Sequence, residues 1–493
     1  MRARTLLSAL CTALTLAGCA QLDKPLTDNS AVGEFVYDER DVIPNDTPLP
    51  NEGINQRPVV GTKKVLVSVV HWQGERILNK PLIEKHTLST DPTSLRSYIL
   101  AASNGKLALT GQVIEHTSGP RPDLCIKKVP ADPNQKWPPY PAPLAQEEAA
   151  KAAKAQGLDP DSFDYIISVI ECGGAASAWG RNMNVYGQSG GPHVYYHEFG
   201  HNLAYDHGST YTQCPKKDQT VTAPTGCDTI SLGDTGDTVS GGGTLYPAFN
   251  RWYSGWLDNT QAATIKSSGL YRLGVLGSQG PQLYLISRPD DPSEPGRTLN
   301  YLSLEFRKPT IYDNFPPSDN RVSGVWVRFS TRVYYNSHII NYQLDGTPET
   351  ATTADPTLLP GKILKDQAAG ITVKVCTASA LGATIAVSVN GEFLPNCKPT
   401  GILPPSIETP VAAAPATPNP IIFSGKSFPG ARVDIYFRKV GEEWGVKTVD
   451  ADATGFWRAP LPSLPAGSYN GRVIQSIGDN ISLGNFRNFE VAP

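Results

Sequence analysis

Apolar residues along the chain fall into short runs punctuated by Gly, Pro, Asn and Asp, the pattern of a strand-rich protein. Residues 65–72, VLVSVVHW, are apolar at almost every position, which predicts a buried strand. Asp91-Pro92, a cap residue followed by proline, predicts a helix start. The stretch SLRSYILAAS then meets the stop Asn104-Gly105 and passes into the strand LALTGQVIE. A second helix is expected over about 144–156, LAQEEAAKAAKAQ, closing on Gly157. YIISVI, 165–170, is a further strand, and Gly190-Gly191-Pro192 opens another helix.

Beyond that helix, 208–265 is loop-rich, with Gly and Asp punctuation. From 270 to 392 short strands follow one another (LYRLGVL, QLYLIS, NYLSLEF, GVWVRFSTRVYY, GITVKVC, ATIAVSV), which predicts a β-subdomain. Residues 399–420, PTGILPPSIETPVAAAPATPNP, have the composition of a linker. The last stretch, 421–493, alternates strands and turns (ARVDIYF, GVKTVDADATGFWRAPL, AGSYNGRVIQ, RNFEV) and predicts a small β-sandwich. A closing extension of the preceding β-subdomain is the other reading.

Composition sharpens this picture. At 493 residues the chain is too long for one core, and 40 % hydrophobic with 18 % charged residues describes a folded protein. A net charge of −3 gives no basis for nucleic-acid binding. At the N-terminus, Arg2 and Arg4 precede an apolar stretch too short for a comfortable membrane span. It ends in Leu16-Ala17-Gly18-Cys19, which resembles the lipobox of bacterial lipoproteins. The resemblance implies a signal peptide over 1–18 and membrane attachment through acylated Cys19; an ordinary secretory peptide is the alternative. At position 20 stands Ala, not the aspartate associated with inner-membrane retention, so an outer-membrane location is expected, on either face of that membrane. Residues 19–61 would then be the anchor and its Pro-, Asn- and Asp-rich tether. Six further cysteines in an exported chain read as three disulfides. Proximity favours Cys214–Cys227 and Cys376–Cys397, leaving Cys125–Cys172.

The chemistry is concentrated in residues 197–207, HEFGHNLAYDH. His197 and His201 are four apart, so a helix stacks them on one face, where two imidazoles can converge on a single ion. Glu198 is rotated off that direction and can reach a metal-bound water. His207, six residues on, can close a three-histidine site with one position open, the pattern of catalytic zinc. A bare H-E-x-x-H arises by chance in roughly one such chain in two hundred, the full set in about one in ten thousand. Asp206 could stand in for His207, and His193 lies one turn before His197. A thermolysin-like site needs a downstream glutamate, but the next one after Glu198 is Glu294, too far to serve.

The histidine pattern resembles that of metzincin zinc peptidases, and flanking segments resemble the gametolysin (autolysin-type) family. These are SYILAASNGKLALTGQV, FDYIISVIECGGAASAWGRNMNVYG, LGDTGDTVSGG with FNRWYSGWL, and YLSLEFR. The likeness spans about 62–330 and is strongest over 164–257. It implies an α+β fold with a metzincin-like domain (62–265) ahead of the β-rich subdomain (266–398). Beyond the linker, PGARVDIYF, Asp450 to Trp457 and Gly467-Ser468-Tyr469 separately resemble bacterial immunoglobulin-like modules, which implies such a domain over 421–493. The metzincin likeness further implies Zn2+ held by His197, His201 and His207, Glu198 as general base, and protein or peptide substrates. Two positions depart from the family. Ala204 replaces a glycine that turns left-handed, and Val239 falls where a methionine underlies the metal. Tyr246 is the nearest match to an additional catalytic tyrosine of some members. The competing reading is an adhesion or glycan-binding lipoprotein with a degenerate peptidase domain.

Overall fold

The computed structural model describes residues 57–126, 141–173, 176–187, 191–278, 280–289, 299–331, 338–397, 403–439, 442, 444–477, 480–482 and 484–493. Cys19, the signal and the tether lie outside the described residues. The chain divides into two compact units, one within 35–397 and one containing 398–493. The protein is mixed α and β, with strands predominating, as an α+β reading requires.

The first unit begins with a five-stranded sheet. Its strands are β1 (Gly61–His71), β2 (Leu107–Thr117), β3 (Tyr165–Ile170), β4 (Ser177–Trp179) and β5 (Asn182–Tyr186), in the order β2-β1-β3-β5-β4. All pairs are parallel except β4 with β5, so β4 is an antiparallel edge. Helices cover both faces: α1 (Lys80–Thr87), α2 (Leu95–Ala102), the short α3 (Asp123–Ile126), α4 (Ala142–Ala155) and α5 (His193–Asn202). With both faces of the strand covered, alternation explains why 65–72 is apolar at almost every position. Val65, Val67 and Val69 join Tyr98, Ile99 and Phe199 on one face. Leu66 and Val70 join Ala145, Ala152 and Ala153 of α4 on the other. Helix α2 starts later than Asp91-Pro92 suggested. Ser94 is its cap, accepting the Ser97 N–H, whereas the Asp91 carboxylate accepts from Thr93 in the preceding turn.

The boundary expected at 265 does not divide the structure. Strands β6 (Ser209–Thr212), β7 (Lys216–Lys217), β8 (Thr220–Thr222) and β9 (Asp228–Ser231) come from the stretch read as loops. After helix α6 (Ala248–Tyr253) come β10 (Ala262–Thr264), β11 (Gly269–Gly274), β12 (Leu283–Ser287), β13 (Tyr301–Phe306), β14 (Val325–Thr331), β15 (Ile340–Leu344), β16 (Ile363–Asp366), β17 (Ile371–Ser379) and β18 (Gly382–Ser388). One sheet runs β10-β12-β13-β14-β15-β6-β9 and the other β11-β18-β17-β16-β8-β7. Backbone ladders therefore join residues on both sides of 265, and the two sheets share one apolar core. Disulfides Cys125–Cys172, Cys214–Cys227 and Cys376–Cys397 form as sequence proximity suggested.

The second unit has its own core of Phe423, Val433, Ile435, Trp457, Tyr469, Val473 and Phe489 between two sheets. It is a sandwich and not a closing extension of the preceding strands. Much of the segment read as a linker belongs to it. Ser406 and Lys426 exchange backbone and side-chain hydrogen bonds, Thr409 bridges to Ser424, and Thr417 bridges to Val491.

Candidate metal centre

Helix α5 packs its Tyr195 and Phe199 side into the core and turns its histidines toward a cleft of about 670 Å³. His197, His201 and His207 form a group that could hold a metal ion, their ligand atoms all within 4.8 Å of one another. The His207 Nε2 lies 3.2 Å from both His197 Nε2 and His201 Nε2. Tautomers follow from the other ring nitrogens. His197 Nδ1–H donates to the Thr238 carbonyl at 3.0 Å, and His201 Nδ1–H donates to the Tyr205 carbonyl at 2.8 Å. Both Nε2 atoms therefore present lone pairs to His207. Three nitrogens bound to one tetrahedral zinc at about 2.0–2.1 Å would stand about 3.3 Å apart, so the donor set fits such an ion.

Burial reinforces this. Desolvation and the neighbouring imidazoles hold His197 down to about 4 and His201 down to about 3, and burial also lowers His207. All three are neutral donors at physiological pH. Asp206 is not in the group; its carboxylate accepts the His207 N–H at 2.7 Å. His193 also stays outside, with its Nε2 against the Gly242 carbonyl at 3.0 Å. Glu198 lines the same cleft, is 5 % exposed, and its Oε2 has no hydrogen-bond partner. Burial pushes its carboxyl up to about 8.

Ala204 and Val239, the two positions that differ from the metzincin pattern, both fit their surroundings. Ala204 adopts φ 68°, the left-handed turn that a glycine takes without strain, and the chain reverses there between His201 and His207. The buried Val239 lies beneath α5. Its contact is with Gly200, where a Cβ would overlap the Val239 Cγ2 methyl and press on the Tyr246 ring. Gly200→Ala is therefore expected to lift α5, costing about 1–3 kcal/mol and weakening metal retention. Combining it with Val239→Ala should recover most of the loss. A double-mutant cycle in denaturant with no coupling would contradict this packing.

Tyr246 is not a cleft residue. It is fully buried, donates to the Tyr196 carbonyl at 2.6 Å, and stacks edge-on against Tyr98 and Tyr205. The loop carrying Thr238 and Val239 is held by buried charges on the second set of sheets. Arg328 on β14 grips Asp234 through Nε at 2.7 Å and Nη2 at 3.1 Å. Asp313 accepts the Leu245 N–H at 3.0 Å, and Glu305 on β13 accepts the Ala248 N–H. The sequence reading missed these anchors, and also Trp179 and His338, which line the cleft. Only the three-dimensional pairing of distant segments reveals them.

No family model matches the chain, and no curated protein matches it. Among solved structures, a fibronectin type-III domain of human fibronectin type III domain containing protein 3 is 15 % identical. That match covers 19 % of this chain and 87 % of the other, with a TM-score of 0.14. A structure described as a protease is 9 % identical, covering 90 % of this chain and 99 % of the other, also at a TM-score of 0.14. Likenesses this slight bear on neither the fold nor the site.

Proposed function

We propose that the chain is a zinc-dependent endopeptidase of the metzincin type. It would act on extracellular or envelope proteins, anchored through Cys19 and carrying a C-terminal immunoglobulin-like module. One arrangement carries the reading: three imidazole nitrogens converge beside a buried, unpartnered carboxylate in an open cleft. Zinc held there would supply Lewis acidity and a water that ionises near neutral pH. The charge of a bound ion would also favour the ionised form of Glu198, which would accept the proton of the attacking water and deliver it to the departing amine. Thr238 and Tyr205 carbonyls fix the rings of His197 and His201. Edge strand β4 pairs only with β5 among the described residues, so its outer backbone groups can align an extended peptide along the cleft.

The adhesion reading drew on the immunoglobulin-like module and on Ala204 and Val239; the latter two positions accommodate the site geometry. Removing the metal tests the proposal. Dialysis against 1,10-phenanthroline should abolish casein or gelatin cleavage, and one equivalent of zinc should restore it. Protein that binds no zinc, or cleaves equally well after chelation, would rule the proposal out.

A further inference from the structure

Trp179 is 43 % exposed, an unusual state for an indole at the edge of a sheet. One face of its ring is covered: the His338 imidazole stacks on it with centroids 4.6 Å apart and planes 25° apart. His338 itself is buried, and both residues line the cleft that holds the three histidines and Glu198. Their positions are fixed from two sides. Asn202, at the end of α5, donates to the Gly180 carbonyl at 2.8 Å and the Asn182 carbonyl at 3.0 Å, which ties down the turn after Trp179. Ile339, next to His338, donates its N–H to the Ala204 carbonyl at 3.0 Å and accepts the Asp206 N–H at 2.9 Å. The stacked pair is thus pinned to both ends of the segment between His201 and His207.

We infer that Trp179, backed by His338, is the specificity-determining platform of the cleft, and that it takes a large apolar or aromatic side chain of a peptide substrate. The surroundings favour such a group: Ala178, Val194 and Leu232 are neighbours in the lining, and no Lys or Arg lines the cleft among the described residues. A flat, partly exposed indole with a fixed backing gains contact area without ordering a flexible chain. The strand bearing it lines the cleft and has one edge unpaired among the described residues, so the platform reads one side chain of an aligned peptide.

The inference rests on the peptidase reading, and the test separates the two. Full-length protein loaded with zinc is given peptides that vary one position at a time. The expected profile prefers Phe, Tyr or Leu over Ala at one position by about ten- to a hundredfold in kcat/KM. Trp179→Ala should bring that ratio near one, Trp179→Phe should keep part of it, and His338→Ala should lower it. A second measurement does not depend on turnover: anisotropy of fluorescent Phe- and Ala-containing peptides titrated with zinc-loaded Glu198→Ala protein, with and without Trp179→Ala. The same ratio should appear in Kd and vanish with the indole. A preference that survives Trp179→Ala in both measurements, or no preference for large apolar side chains in either, overturns the inference. Binding with that preference but no cleavage by the parent protein would overturn the peptidase reading alone.

Discussion

Glu198→Ala is expected to lower peptide-bond hydrolysis by about a hundred- to ten-thousandfold while leaving the metal bound. The carboxylate lies outside the group of three histidines, so its removal takes away no ligand. What it removes is, among the described residues, the one carboxylate of the cleft that is buried beside those histidines with an oxygen free of partners. A buried carboxyl without a partner is costly to hold, so the thermal midpoint of the metal-free protein should hold or rise. His201→Ala behaves differently: it deletes a donor and the hydrogen bond to the Tyr205 carbonyl, and should lose metal and activity together. Zinc stoichiometry, thermal midpoint and casein hydrolysis on the two variants distinguish chemistry from structure. A Glu198→Ala protein that cleaves at near the parental rate would sink the mechanism.

The metal group was readable in the sequence because it is local. Two of the histidines sit one helical turn apart, and the third follows six residues later, so one short segment carries all three imidazoles and Glu198. The strands were readable for a similar reason. Continuous burial leaves a run such as YIISVI with one polar residue, Ser168, whose hydroxyl donates to the Ala145 carbonyl, and β3 spans the same six residues, Tyr165–Ile170. Helix α1 left little trace, since only Ile83 and Thr87 of its eight residues are buried. Composition also misread 399–420, because Pro and Ala content says nothing about backbone bonds such as Thr417 N–H to the Glu490 carbonyl.

The division at 265 failed for a deeper reason. Hydrophobic periodicity identifies a strand but not its partner, and the partners here are distant. Tyr342 pairs with Ser209 and Leu364 with Val221, so the stretch after the third histidine is woven into the later sheets. That interweaving places His338 in the cleft and brings Arg328 under the loop of Thr238. The histidine segment is legible alone; what orients it is not.

This dependence yields the largest expected stability effect, at Glu305. Its carboxylate is buried between two guanidiniums, Arg307 Nε at 2.8 Å and Arg328 Nη1 at 2.6 Å, while Arg328 also binds Asp234 and Arg307 also meets Asp313 at 3.2 Å. Glu305→Ala leaves both cations short of a partner in a dry interior and frees the Ala248 N–H, which should cost about 3–5 kcal/mol. Glu305→Gln keeps the shape but not the charge, and should lose most of the same amount. Burial alone would raise the Glu305 pKa; Arg307 and Arg328 outweigh it and hold the group near about 2. The folded value thus lies below the ordinary carboxylate value, so this contribution is fully present above about pH 4.5 and is lost as pH falls toward 2. The gap in unfolding free energy between parent and Glu305→Ala should therefore narrow over that window. The loop that Glu305 holds through Ala248 also carries Thr238, so the variant should release zinc more readily at neutral pH. Urea unfolding at pH 7 and pH 3, together with zinc release to a chromogenic chelator, provides the measurement. A loss below about 1 kcal/mol at pH 7 would mean that the buried charges do not hold the floor of the metal group.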